Sequence, residues 1–173
     1  MNSLLFLIAF ATGLVVKYSD TYSDPHKNKI TLKGILLGIT YGSLLGYTVI
    51  KYPFIAPLWI GTILGVLFTG KIDAIPHYVG IGTFVVLVAL FGSSSLNVAL
   101  LIIFTLACIL EEIVNDFFDK KKIKNKILSN IVKSRPILEL TALAVGLVTG
   151  NIAIWLALLS HDAGYILAGK IKK

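Results

Sequence analysis

This 173-residue chain has little charge, almost no sulfur and none of the common hydrolase or nucleotide signatures. Charged residues make up 14% of it and apolar residues 56%, with a mean hydropathy of +0.86. A soluble domain carries about a quarter charged residues, so a soluble enzyme or binding module is excluded and the apolar runs read as membrane spans. The single cysteine, Cys108, lies inside an apolar run, which rules out any disulfide within the chain. There is no HExxH or HxxxH pair, so zinc chemistry has little support, and neither a GxSxG elbow nor a P-loop occurs.

Apolar runs at about 2–16, 31–50, 54–70, 77–93, 95–114, 136–150 and 151–169 predict an all-α, polytopic membrane protein. About seven transmembrane helices are expected, forming a single bundle over 1–173. The first run lacks a basic n-region and is expected to stay as an anchor rather than be cleaved as a signal peptide. Connections after runs 2, 4 and 6 are tiny, whereas those after runs 1, 3 and 5 are longer and charged. With this alternation fifteen of the sixteen Lys and Arg fall on one side, and Lys51 is the exception. By the positive-inside rule that side is cytoplasmic, which places the N-terminus outside and the C-terminus inside a cell membrane. The net charge of +7 is thus topogenic, and its natural partner is anionic lipid headgroups. Nucleic acid is not expected, since no basic soluble domain with interleaved aromatics is present to read it.

The second run carries a ladder, Gly34, Gly38, Gly42 and Gly46. Glycines four apart share one helix face and let another backbone approach closely. Tight packing within one bundle and an oligomer through this face both fit the pattern, as does a groove for a lipid chain.

All nine carboxylates and all three histidines fall on the cytoplasmic side or in the cytoplasmic half of a span. His161 and Asp162 lie about ten residues into the last run, ~15 Å at 1.5 Å per residue, near the middle of a hydrocarbon core of ~30 Å. An ionisable pair at that depth is a functional candidate by default, as acid/base or polar anchor, with Ser160 and Tyr165 extending its polar surface. The plainer alternative is a structural hydrogen bond to a neighbouring helix. In "EEIVNDFFDKKK" Glu112, Asp116 and Asp119 are spaced i, i+4, i+7 on one face, while Glu111 points elsewhere. A row of oxygen ligands suits Mg²⁺ or Ca²⁺; a lysine-neutralised helix end is the alternative. Asp20 and Asp24 stand one turn apart if the first helix continues past Lys17, and Asp73 stands four before His77. These four join the candidate metal ligands, although Asp20 and Asp24 also fit a loop beside Pro25, and Asp73 also fits a residue preceding a helix opened by Pro76. Glu139 reads as a favourable first-turn carboxylate. Lys17, Lys71 and Arg135 lie beside the acidic groups and are candidate phosphate contacts.

The stretch Asn115, Asp116, Asp119, followed by Arg135-Pro136, resembles the first aspartate-rich motif of intramembrane prenyltransferases. Asp20 and Asp24 match the spacing of that family's second motif. Ile123 stands where the family has a third aspartate, and the two motifs occur in reversed order. The signature of CDP-alcohol phosphotransferases is absent. The resemblance implies that these carboxylates bind Mg²⁺ and a prenyl diphosphate on the cytoplasmic side.

The sequence therefore predicts an integral membrane enzyme acting on a phosphate-bearing or isoprenoid lipid through a cytoplasm-facing divalent-metal site. Carboxylates would hold the cation while basic residues grip phosphate oxygens. Asp162, His161 and Asp116 are the candidate catalytic groups. The alternative is a small ion- or proton-coupled transporter or channel built on His161 and Asp162.

Overall fold

A computed structural model describes residues 3–23, 29–92, 96–120 and 135–171. Among these residues it contains seven α-helices and no strand: α1 (Ser3–Ser23), α2 (Leu32–Lys51), α3 (Ala56–Phe68), α4 (Ile75–Phe91), α5 (Val98–Lys120), α6 (Pro136–Val148) and α7 (Ala153–Ile171). A single 3₁₀ turn, Pro53–Ile55, leads into α3. The all-helical expectation holds. Three helical segments are long and apolar enough to cross a bilayer, Ser3–Ser23, Leu32–Lys51 and Val98–Phe118, which makes this a membrane protein. The segments Pro53–Phe68, Ile75–Phe91 and Pro136–Val148 are apolar but shorter.

Local chemistry sets the helix ends. Thr31 caps α2, its hydroxyl accepting from Gly34 N at 3.1 Å. Pro76 and Pro136 stand in the first turns of α4 and α6, where a missing N–H costs nothing. Gly70, Gly92 and Gly150 follow α3, α4 and α6 at φ of 67°, 70° and 69°, a backbone conformation that side chains disfavour and that stops the helix. Within the apolar helices, hydroxyls are satisfied locally: Thr12, Thr48, Thr62, Thr105 and Thr141 each donate to the carbonyl four residues back at 2.7–2.8 Å.

The chain divides into two compact units. The first comprises Met1–Ala56, Ile72–Leu96 and Leu156–Lys173, and so holds α1, α2, α4 and most of α7. Its central seam is α2 against α4, and the glycine ladder makes it. A Cβ on Gly38 would meet the Pro76 carbonyl oxygen, one on Gly42 the Gly80 carbonyl, and one on Gly46 the Leu87 side chain. The ladder face is thus occupied by α4 of the same chain. Tyr41, Leu45 and Val49 on α2 and Phe84 on α4 are buried here. A second close approach joins α1 to α7: a Cβ on Gly13 would strike the carbonyl oxygen of His161, and one on Gly164 that of Phe10. Where no hydrophobic drive separates helix from lipid, such backbone proximity is what gives helices specific contact.

The second unit comprises Pro57–Lys71 and Asn97–Trp155. It packs α3 and α6 against α5. Gly61 and Gly65 of α3 admit Phe104 and Cys108 of α5, and the Cys108 thiol donates to Thr62 O at 3.5 Å. Phe104, Leu58, Leu138 and Ala142 are fully enclosed.

Candidate functional site

The α1 helix continues to Ser23, seven residues past the apolar run that seeds it. It places Lys17 and Asp20 on helical backbone rather than in a loop. Lys17 Nζ stands 4.0 Å from Asp20 Oδ2, an i,i+3 pair.

Asp20 is the centre of a cluster drawn from four helices. Its Oδ1 is 3.1 Å from His77 Nε2 of α4, and its Oδ2 accepts from the Tyr165 hydroxyl of α7 at 2.5 Å. Lys17 Nζ donates to the same Tyr165 oxygen at 3.3 Å and lies 4.6 Å from the centre of its ring, a cation–π distance. On the far side of the imidazole, Tyr41 OH donates to His77 O at 3.0 Å and stands 3.4 Å from His77 Nδ1. The order runs Lys17, Tyr165, Asp20, His77, Tyr41. Asp20 and His77 keep 26% and 19% of their side-chain surface exposed.

Both close helix crossings serve this cluster. The backbone of His161 rests on Gly13; one turn further along both helices, Tyr165 therefore meets Lys17. Pro76 and Gly80 bring the first turn of α4 onto α2, and His77 faces Tyr41 from that turn.

The other candidates fall as follows. His161 and Asp162 bond to each other, Nδ1 to Oδ1 at 3.0 Å, with 8% and 17% of their side chains exposed. Asp73 sits exposed in the segment ahead of α4, which Pro76 opens. In the second unit, Lys71 forms an ion pair with Asp116, and Arg135 Nη2 stands 3.9 Å from Glu112 Oε1. Asp24 and the side chain of Asp119 lie outside the described residues. Of the candidate metal ligands, Asp20 and His77 come together as a pair. Among the described residues no group of three or more His, Cys, Asp and Glu is arranged to hold a metal ion.

Two further acidic residues have local roles. Glu139 Oε2 accepts from Trp155 Nε1 at 2.9 Å, which ties the first turn of α6 to the start of α7. Glu111 is 1% exposed, and its Oε2 accepts from Ile137 N at 2.7 Å and Leu138 N at 3.0 Å. It is a capping carboxylate supplied by another helix, satisfying N–H groups that the α6 N-terminus cannot pair internally. Arg135, ahead of Pro136, adopts a left-handed φ of 57° at this junction, and its donor-only side chain makes no cap bond there.

Sequence reasoning did not single out Tyr41, and it reached Tyr165 only as polar surface beside His161 and Asp162. Tyrosines inside apolar runs carry no spacing signal that separates a site residue from an interfacial one. No family model, no curated protein and no solved structure matches the chain.

Proposed function

We propose that this protein is a multi-pass protein of the cell membrane, an enzyme that acts on a phosphate-bearing or isoprenoid lipid from the cytoplasmic side. In this reading about seven helices lie in the membrane, the N-terminus is outside, and the basic loops and C-terminus face anionic headgroups on the inside. The observation that carries the reading is the Lys17–Tyr165–Asp20–His77 cluster: a cation, a carboxylate, an imidazole and a phenol from three helices, partly open, on residues next to the end of a membrane-spanning helix.

Each group has a part. Asp20 Oδ1 holds His77 Nε2, fixing the ring for acid–base work. Lys17, held over Tyr165, offers its ammonium to a phosphate oxygen, and the phenol of Tyr165 keeps Asp20 and Lys17 in register. Within the second unit, Lys71 and Arg135, ion-paired with Asp116 and Glu112, are candidate phosphate contacts in their own right. A divalent cation, Mg²⁺ by its preference for hard oxygen donors, would supply charge stabilisation on the departing phosphate. Asp20 fits such a cation as an acceptor for its water shell, because both carboxylate oxygens already take protein donors. Reconstituted protein given a long-chain isoprenyl diphosphate and Mg²⁺ should release diphosphate or phosphate, with at least a tenfold loss in Asp20→Asn and Lys17→Gln. A wild type that neither turns over nor binds such lipids sinks the reading.

One observation favours a second reading, a small ion- or proton-coupled transporter. His161 and Asp162 form a largely enclosed pair on an apolar helix, the kind of group that relays protons or binds ions in membranes. It predicts gradient-driven flux in liposomes that Asp162→Asn abolishes, and a sealed, flux-free reconstitution counts against it.

A further inference from the structure

His77 presents two ring nitrogens, and Asp20 engages only one of them. Nε2 lies 3.1 Å from Asp20 Oδ1. A carboxylate only accepts, so Nε2 carries the hydrogen, and in a neutral ring Nδ1 is then a bare acceptor in need of a donor. Its partner among the described residues is the Tyr41 hydroxyl, 3.4 Å away. That hydroxyl also reaches His77 O at 3.0 Å and Pro76 O at 3.4 Å, but it has one hydrogen to give and can rotate it among the three. The two carbonyls lie in the first turn of α4, where an α-helix already supplies the N–H four residues on. Nδ1 has no such second donor among the described residues.

The contact is built into the α2–α4 seam. Tyr41 is 4% exposed, and its phenol fills the place of a side chain at residue 80, since a Cβ on Gly80 would overlap Tyr41 Cζ and the hydroxyl oxygen. The χ2 torsion of a histidine is soft and roughly two-fold, so one hydrogen bond at Nε2 is a weak guard against a flip that puts Cε1 before Asp20. We propose that Tyr41 is a positioning residue for His77: its hydroxyl, lodged in the space that Gly80 leaves, donates to Nδ1 and keeps Nε2–H aimed at Asp20. When the ring holds hydrogen on both nitrogens, the hydroxyl hydrogen turns to His77 O and its oxygen accepts from Nδ1, so one residue serves both states. The ring sits among Asp20 and Lys17 from α1, Tyr41 from α2 and Tyr165 from α7. What the aimed ring is used for, acid–base work on a lipid phosphate, rests on the function proposed above; the positioning does not.

The test is ¹⁵N NMR of the full chain in detergent, labelled at histidine and held at alkaline pH where imidazole is neutral. His77→Gln assigns the signals. Wild-type His77 should carry its hydrogen on Nε2, with Nδ1 at the frequency of a hydrogen-bonded bare nitrogen. In Tyr41→Phe the Nδ1 signal should move to that of an unbonded nitrogen, with the His161 signals unchanged. A wild type with Nδ1 unbonded overturns the proposal by itself, whether or not the variant folds, as does a Tyr41→Phe spectrum with Nδ1 unmoved, the result expected if the hydroxyl serves only the backbone carbonyl. Turnover of an isoprenyl diphosphate should fall in Tyr41→Phe while its binding stays within roughly twofold, because Tyr41 acts through His77. A wild type that neither binds nor turns over that lipid counts against the proposed function and leaves the ring result standing.

Discussion

The α2–α4 seam holds His77 in front of Tyr41, and its tolerance can be worked out at one atom. In Gly42→Ala the new methyl would meet the Gly80 carbonyl oxygen, with Gly80 C and Thr83 Cβ each 3.0 Å away. Two of these three are backbone, so no rotamer change relieves the overlap, and α4 must move. Overpacking a tight site costs about 1–3 kcal/mol, and the backbone obstacle puts Gly42 at the upper end. Replacing helical glycine by alanine returns about 1 kcal/mol, leaving a net loss of roughly 2 kcal/mol. For a chain of this size that corresponds to a drop of roughly 4–8 °C in thermal midpoint. Gly82→Ala, on α4 with nothing within 4 Å of its Cβ, is the matched control and should be neutral or slightly stabilising. Thermal unfolding of both variants in the same detergent decides. Equal responses at the two positions would refute the claim that backbone contact at Gly42 builds the seam.

Two other outcomes follow from the structure. Glu111→Ala removes the acceptor for Ile137 N and Leu138 N and should destabilise by about 2–4 kcal/mol, read as a lowered thermal midpoint, whereas Glu111→Gln should cost far less. Lys51→Cys should react with an impermeant maleimide from outside intact cells, and Lys120→Cys only after permeabilisation; the native Cys108 is buried and gives little background. The opposite labelling pattern would reverse the proposed orientation.

Helices were the legible part of this sequence, because long apolar runs between prolines, glycines and charge clusters leave little choice of structure. The edges were less legible. The α1 helix outruns its apolar segment through "KYSDTYS", polar residues that a hydropathy reading assigns to a loop, and that continuation is what carries Asp20 to His77. Lys17, Asp20 and His77 could be named from their charge and depth alone. Tyr165 and Tyr41 could not, since their roles arise from helix crossings at Gly13, Gly164, Gly42 and Gly80, and a crossing is a property of two segments rather than one. Glu111 was placed off the acidic face correctly, but its capping of α6 across 26 residues of sequence has no local signature.

The most direct test of the central claim is equilibrium binding of a radiolabelled long-chain isoprenyl diphosphate to the purified protein, with and without Mg²⁺, for wild type, Asp20→Asn and Lys17→Gln. Saturable, Mg²⁺-dependent binding that weakens at least tenfold in both variants is the predicted result. Absence of binding, or binding that neither variant disturbs, would contradict the assignment of the Lys17–Asp20–His77–Tyr165 cluster as a lipid-phosphate site.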